Sequence, residues 1–148
     1  MQSAANVLGI RALGLHLEPD NLQRDVAAAF TTVAEQQLGA ILVGSGAVIL
    51  RPVRDQIISL AARHAIPAMF FEGASIEAGA LSSYGPDVTD VTYQIGRYAG
   101  RILMGEKPAD LPVVQPNKFE FAINLQTAKR IGLEVPPTLL AIADKVIE

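Results

Sequence analysis

The sequence has no cysteine, no tryptophan and few aromatic residues, namely 5 Phe and 3 Tyr among 148 residues. The lack of cysteine excludes disulfide bonds, thiolate metal sites and thiol nucleophiles, although it does not identify a cellular compartment. Because half of the residues are hydrophobic, the core has to be built from Ala, Val, Ile and Leu. The chain is long enough for one ordinary domain with a real hydrophobic core.

The sequence also lacks any excess of positive charge and any long apolar run. It carries 12 basic and 15 acidic residues for a net charge of −3, with no cluster of Lys and Arg, so a nucleic-acid-binding surface is not expected. No apolar stretch approaches the roughly 20 residues that a membrane-spanning helix needs. The first ten residues have neither a basic head nor an apolar run, so they do not resemble a secretory signal. If Met1 is the natural start, the expected location is the cytoplasm.

The hydrophobic spacing predicts helices that alternate with short strands. Strands are predicted at residues 13–18, 40–43, 66–71, 81–84 and 118–124, and helices at 2–10, 22–37, 51–64, 88–104, 125–131 and 138–146. Gly39 and Gly105 are expected to end the helices before them, and Asp87 to cap the long helix. This alternation indicates an α/β fold with a mostly parallel sheet sandwiched by helices.

The order of the elements predicts an incomplete sheet. The first element is a helix with no strand before it, whereas a doubly wound lobe begins with a strand that lies centrally in its sheet. The first inner strand should therefore be missing, and its place taken by residues 118–124, by a partner chain or through a shift in register. Residues 1–85 are interpreted as a partial lobe. Residues 86–148 would add a helix, a proline-rich connector, a strand and C-terminal helices that complete this lobe or cross to a second one.

Three loops follow predicted strands, at the edge where open α/β sheets bind ligands. In the first, Gly44, Ser45, Gly46 and Ala47 could expose backbone and a hydroxyl to a ligand, or could simply form a tight turn. In the second, Phe71 could stack on a ligand and Glu72 could accept from an amine or hydroxyl. The alternative is that Phe71 belongs to the core and Glu72 is a solvated charge.

The third loop begins a motif string that resembles one family. The segment from Ser83 reads SYGPDVTDVTYQIGRYAGRILMGEKPADLPVVQPNKFEFAINLQTAKRIGLEVPPTLLAIADKVIE. Its content and order are similar to the carboxyl end of ABC-transporter substrate-binding proteins with the type I periplasmic-binding fold. Earlier segments (AANVLGI, AILVG and LAARHAIPAMFFE) resemble that family in rhythm. The loop GSGAVI departs from it, because the family often carries an Asp-Pro pair there, so the identity of the ligand cannot be transferred.

The resemblance implies a non-catalytic receptor that has two lobes, of which this chain would supply one. It places the hydroxyls of Ser83 and Tyr84 at the ligand and Gly85 at a hinge. The partners implied are a small organic solute, amino-acid-like or similar, and an ABC permease, with a periplasmic location and no cofactor. One lobe alone should bind a solute weakly or not at all, and should self-associate, with segments exchanged between copies.

Two other functions remain open at this stage. The same fold serves effector-sensing modules of regulators, and a small flavodoxin-like enzyme would have a similar order of elements. No catalytic residue is predicted, because Ser45 lacks a nucleophile-elbow motif and an evident base. Neither His16 nor His64 has a second His or a Cys at ligand spacing, so no metal site is predicted.

Overall fold

The computed structural model describes residues 2–44 and 51–148. The chain divides into two units, residues 1–38 and residues 39–148. In the part of the chain that is described, no helix combines the length and the apolar character that crossing a bilayer requires.

The first unit contains two helices joined by an irregular segment. Helix α1 is Gln2–Val7, a 3-10 turn covers Pro19–Asn21, and helix α2 is Leu22–Glu35. The apolar residues of α2 are buried at the predicted helical spacing, at Val26, Phe30 and Val33. The helix ends earlier than predicted, because Gln37 rather than Gly39 takes the left-handed backbone conformation, with a φ of 51°.

The strand predicted at residues 13–18 is wrong. This segment has no strand structure, and the side chains of Leu13 and Leu15 are exposed. The alternation of apolar and polar residues was real, but a strand also needs a neighbour that pairs with its backbone N–H and C=O groups. The five strands that form the described sheet all lie in residues 39–148.

The second unit is built on one five-stranded sheet in the order β1-β2-β3-β4-β5. The strands are β1 (Ile41–Val43), β2 (Ala68–Phe70), β3 (Ser82–Pro86), β4 (Phe119–Asn124) and β5 (Lys145–Ile147). Strands β1, β2 and β3 are parallel, β4 runs antiparallel to β3, and β5 is parallel to β4. The prediction of an α/β fold with a mostly parallel sheet is confirmed.

The described residues of this unit form five α-helices. They are α3 (Arg54–Arg63), α4 (Ala74–Glu77), α5 (Val88–Leu103), α6 (Leu125–Arg130) and α7 (Pro137–Ala141). Aliphatic and small side chains dominate the core, as the composition requires. Its members that are at most 3% exposed are Val53, Ala68, Phe70, Ile76, Ala80, Ala122, Ile123 and Ala128.

Strand β4 occupies an interior position, between β3 and β5. It covers residues 119–124, the segment that the sequence offered as one of three ways to complete the sheet. Its antiparallel register pairs Tyr84 with Phe121 and Ser83 with Ala122. The described sheet therefore runs without a gap from β1 to β5 within a single chain.

The last predicted helix is wrong over its second half. Helix α7 ends at Ala141, and residues Lys145–Ile147 form β5 beside β4. Asp144 begins this pairing, because its backbone N–H donates to the carbonyl of Phe121 at 2.8 Å and its carboxylate accepts from the Phe121 N–H at 2.8 Å. The backbone N–H and C=O groups along the free edge of β4 pair with residues 145–147. Helical spacing in the sequence does not show that such an edge is available.

Candidate functional site at the carboxyl edge of the sheet

The carboxyl ends of the three parallel strands lie along one edge of the sheet. Strands β1, β2 and β3 end at Val43, Phe70 and Pro86, and the N–H of Phe71 donates to the carbonyl of Val43 at 3.2 Å. Because β4 is antiparallel, its first residue, Phe119, lies at the same edge, opposite Pro86. Ligands of open α/β sheets bind at such an edge.

The first predicted loop is described only at its start. Gly44 is exposed and directly follows β1, and among the described residues no atom lies within 4 Å of the position that a Cβ would occupy. Ser45, Gly46 and Ala47 lie outside the described residues. The proposal that this loop contacts a ligand therefore stays a prediction.

The second predicted loop lies beside the third across the ends of β2 and β3. The side chain of Phe71 is 37% exposed, and the carbonyl of Glu72 accepts from the N–H of Ser75 at 3.0 Å. This bond fixes the turn that leads into α4. The loop thus keeps one aromatic ring partly at the surface of the edge.

The two residues of β3 whose hydroxyls were predicted to contact a ligand differ in their exposure. Ser83 is only 1% exposed, and its hydroxyl is buried without a hydrogen-bond partner among the described residues, whereas Tyr84 is 51% exposed. Successive side chains of a strand point to opposite faces of the sheet, so the two residues cannot present their hydroxyls on the same side. Of the pair, only Tyr84 is presented at the surface.

Gly85 is required by a close approach between β3 and the loop after β2. A Cβ at this position would lie 1.9 Å from the carbonyl oxygen of Phe71. No larger residue fits without moving one of the two segments. The lack of a side chain at Gly85 therefore allows the second and third loops to lie against each other. The role of Gly85 as a hinge stays a prediction.

Asp87 closes the third loop as the sequence predicted. Its carboxylate accepts from the N–H of Thr89 at 2.8 Å and from that of Asp90 at 3.1 Å. These bonds satisfy two of the free N–H groups in the first turn of α5, which confirms Asp87 as the N-cap.

A buried polar cluster at the opposite edge of the sheet, where β4 ends and β3 begins, was not found from the sequence. Asn124 caps α6 by accepting from the N–H of Thr127 at 3.0 Å, and its amide donates to the carbonyl of Ile76 at 3.4 Å. The Thr127 hydroxyl donates to the carbonyl of Gly79 at 2.9 Å. Together these bonds tie β4 and α6 to the segment around α4. The signal was present in the spacing Asn124-x-x-Thr127, which is typical of a helix start.

The charges in this unit pair at its surface. Lys145 on β5 contacts Glu77 on α4 at 2.9 Å, and this hydrogen bond lowers the pKa of Glu77 and raises that of Lys145. Arg101 and Glu106 form a similar pair at 2.6 Å, in which the hydrogen bond lowers the pKa of Glu106. Within the described residues, no group of three or more His, Asp or Glu side chains is arranged to hold a metal ion.

A concave surface lies between α5 and the proline-rich connector, residues 108–117. Its volume is about 680 Å³, and its walls include Ile95, Ile102 and Val113. The Tyr98 hydroxyl donates to the carbonyl of Pro112 at 2.6 Å and fixes the connector on the helix. We call this feature the α5 groove. The sequence identified both segments but not the groove, because helical spacing does not show where a connector folds back.

Comparison with known proteins identifies relatives over nearly the whole chain. The sequence profile described as ABC transporter substrate binding protein matches residues 10–147. A tyrosine-binding protein of Clostridioides difficile (strain R20291) is 30% identical over 100 residues, which cover 63% of this chain and 29% of that protein.

Solved structures share the fold at low sequence identity. A conserved domain protein from Vibrio cholerae matches with a TM-score of 0.78 and 24% identity, over 98% of this chain and 47% of that one. An ABC domain in complex with L-Trp from Streptococcus pneumonia matches with a TM-score of 0.82 and 22% identity, over 98% of this chain and 49% of that one. The chain thus spans about half the length of these solved chains. The family profile confirms the resemblance seen from Ser83 onward, and the protein belongs to the family of ABC transporter substrate binding proteins.

Proposed function

We propose that this chain forms one lobe of a receptor that captures an amino-acid-type solute and delivers it to an ABC permease. The solute would lie against the carboxyl edge of the sheet, between Gly44, Phe71 and Tyr84. The role is binding rather than catalysis, and its place would be outside the cytoplasmic membrane. The match to the family over residues 10–147 carries this proposal.

The names of the relatives support an amino acid as the solute. One is a tyrosine-binding protein and another was solved in complex with L-Trp. The carboxyl edge of this chain has features that suit such a ligand, because it carries two partly exposed aromatic residues, Phe71 and Tyr84, and the exposed backbone of Gly44. Aromatic and apolar walls with a few placed polar groups are typical of small-molecule sites.

The mechanism follows from having one lobe on this chain. A solute held between two lobes favours the closed arrangement, since it contacts both lobes only there. One lobe covers about half of a ligand, well below the roughly 70–90% that is buried in a good site. We therefore expect millimolar affinity from this chain alone, and much tighter binding when a second lobe is present.

Amide NMR on the isotopically labelled chain tests this proposal. Addition of L-amino acids to millimolar concentration should shift the amide signals of Gly44, Phe71 and Tyr84, with weak saturable curves. The amides of the α5 groove, such as that of Ile102, provide the internal control and should not move. Shifts confined to the α5 groove, or none with any amino acid, would contradict the proposal. Low-micromolar binding would contradict the role of a half-site.

We also propose that a second copy of the chain covers the apolar face of α5. None of the residues of this helix is buried, and Leu103 and Met104 are strongly exposed at its end. Apolar faces of this kind are typically covered by another protein surface. Sedimentation velocity should show a dimer that Ile95→Lys converts to monomer. A wild-type chain that stays monomeric at high concentration would disprove this contact.

A further inference from the structure

Three of the eight aromatic residues of the chain meet on one face of β3 and β4, at the carboxyl edge. Tyr84 lies directly opposite Phe121 in the antiparallel register, and Phe119 lies two residues before Phe121. The rings of Tyr84 and Phe119 are stacked, with centroids 5.6 Å apart and planes 22° apart. The rings of Tyr84 and Phe121 meet edge to face at 6.4 Å. We call these three residues the aromatic platform.

The aromatic platform is unusually open for side chains of this type. Tyr84 is 51% exposed and Phe119 is 45% exposed, although each already contacts another ring. On the opposite face of the same strand, Ser83 and Gly85 are buried. The strand therefore buries its small residues and presents its aromatic ones, which is the reverse of what a hydrophobic core alone would favour.

The geometry can accept one further ring. Aromatic pairs prefer offset-stacked or edge-to-face arrangements with centroids roughly 4.5–7 Å apart, and both pairs in the platform lie in this range. Half of the Tyr84 surface is exposed, so this residue is accessible to a further aromatic ring. A flat aromatic side chain gains such contacts, whereas a branched aliphatic side chain gains only the burial of apolar area.

We propose that the aromatic platform is the subsite that holds the ring of an aromatic amino acid, and that it makes the receptor selective for tryptophan or tyrosine over aliphatic amino acids. This rests on the proposed function, which it deepens by naming the class of solute. Phe119 and Phe121 thereby become specificity-determining residues, alongside the Tyr84 identified from the sequence. The location supports a small ligand, since Pro86 and Phe119 form the part of the carboxyl edge where β3 and β4 meet.

The absence of tryptophan from the sequence makes a direct test possible, because all indole fluorescence in a mixture with L-Trp comes from the ligand. Titration of L-Trp with the whole chain should shift the indole emission to shorter wavelength as the ring leaves water. Saturation-transfer NMR would compare L-Trp, L-Tyr and L-Leu on the same protein. We expect both aromatic amino acids to bind more tightly than L-Leu by roughly two- to tenfold, the range that one aromatic pair supplies.

Single substitutions inside and outside the aromatic platform test which residues produce the preference for aromatic amino acids. Tyr84→Leu keeps an apolar side chain and should lower L-Trp affinity to that of L-Leu, so that the preference for the aromatic ligand is lost. Phe119→Leu should have the same effect to a smaller degree. Tyr93→Leu is the control, because Tyr93 is 66% exposed on α5 and is not part of the platform. It should leave all three ligands unaffected.

The outcomes separate this inference from the proposed function. Equal binding of L-Leu and L-Trp to the wild-type chain would overturn the aromatic subsite and leave amino-acid binding in place, with no variant needed. A Tyr84→Leu variant that weakens all three ligands equally would overturn the selectivity, since it would show only a general role in the fold. If no amino acid binds to the wild-type chain, the proposed function fails first and the subsite with it.

Discussion

Helices α3 and α5 both carry apolar side chains at helical spacing, but only α3 buries them. Ile57 of α3 is 5% exposed, whereas Ile95 of α5 is 63% exposed and no residue of α5 is buried. The amphipathic pattern therefore shows that a face is suited to burial without showing what covers it. In this chain the sheet and its short helices form the core, while α5 carries an exposed apolar surface.

The sharpest test of this contrast is a pair of matched truncations. Ile57→Ala should lower the free energy of unfolding by about 2–5 kcal/mol, because it leaves a cavity in the core. Ile95→Ala removes the same atoms from an exposed helical position and should change the monomer by less than about 0.5 kcal/mol. Urea unfolding measures both. Similar losses in the two variants would show that α5 is packed in solution.

A pair of glycine substitutions is expected to have the next largest effect. Gly85→Ala should cost about 1–3 kcal/mol, because the new methyl group meets the carbonyl of Phe71 and forces the edge to shift. Gly96→Ala on α5 meets nothing within 4 Å outside its own helix and should gain about 1 kcal/mol from helix propensity. Thermal unfolding of both variants would test this, and a neutral Gly85→Ala would contradict the close approach.

The N-cap of α5 tests how far this helix depends on local interactions. Asp87→Ala should cost about 1 kcal/mol, since two first-turn N–H groups lose their acceptor. Asp87→Asn is the control and should retain most of the stability, because an amide oxygen can accept the same bonds. Hydrogen exchange at Thr89 and Asp90 would show the loss directly. Unchanged exchange rates in Asp87→Ala would argue that packing, not capping, fixes the start of the helix.

The smallest expected effect concerns two exposed ion pairs. One joins Glu77 of α4 to Lys145 of β5, and the other joins Arg101 of α5 to Glu106. Lys145 lowers the pKa of Glu77 below its ordinary value of 4.5, so the pair stabilises the fold above that pH and loses this contribution as the carboxylate is protonated. Glu77→Gln should remove this part of the acid dependence and be insensitive to added salt. Glu106→Gln should do the same for the pair with Arg101. An unfolding curve whose acid limb is unchanged in Glu77→Gln would contradict the assignment.

Much of the fold followed from the sequence, because local patterns were strong where they agreed with the tertiary structure. The buried positions of α2, the apolar strands β1 and β2, and the Asp87 cap were all predicted and are confirmed. The two wrong elements, the strand at residues 13–18 and the end of the last helix at residues 142–146, failed for the same reason. Strand formation depends on a neighbouring strand, and neither alternation nor helical spacing reports whether one is present.

The candidate site was predicted less completely than the fold. Its loops could be placed at the carboxyl edge, since the rule for parallel strands needs only the order of elements. The sequence did not show which face of β3 is buried, so Ser83 and Tyr84 were treated as equivalent. In the structure Ser83 is buried and Tyr84 is exposed. Phe119 and Phe121 were read only as parts of a strand. Their meeting with Tyr84 depends on an antiparallel register between segments more than thirty residues apart.

The sequence by itself determined the class of fold and the family, and it predicted the edge of the sheet for a ligand site. These properties depend on composition, on the period of apolar residues and on the order of motifs, all of which are local or additive along the chain. Only the tertiary structure decided which strands pair, which face of β3 is buried and which helix is left without a cover. Those outcomes depend on contacts between distant segments, where hydrogen-bond partners and packing space are set by the whole arrangement rather than by any one stretch of sequence.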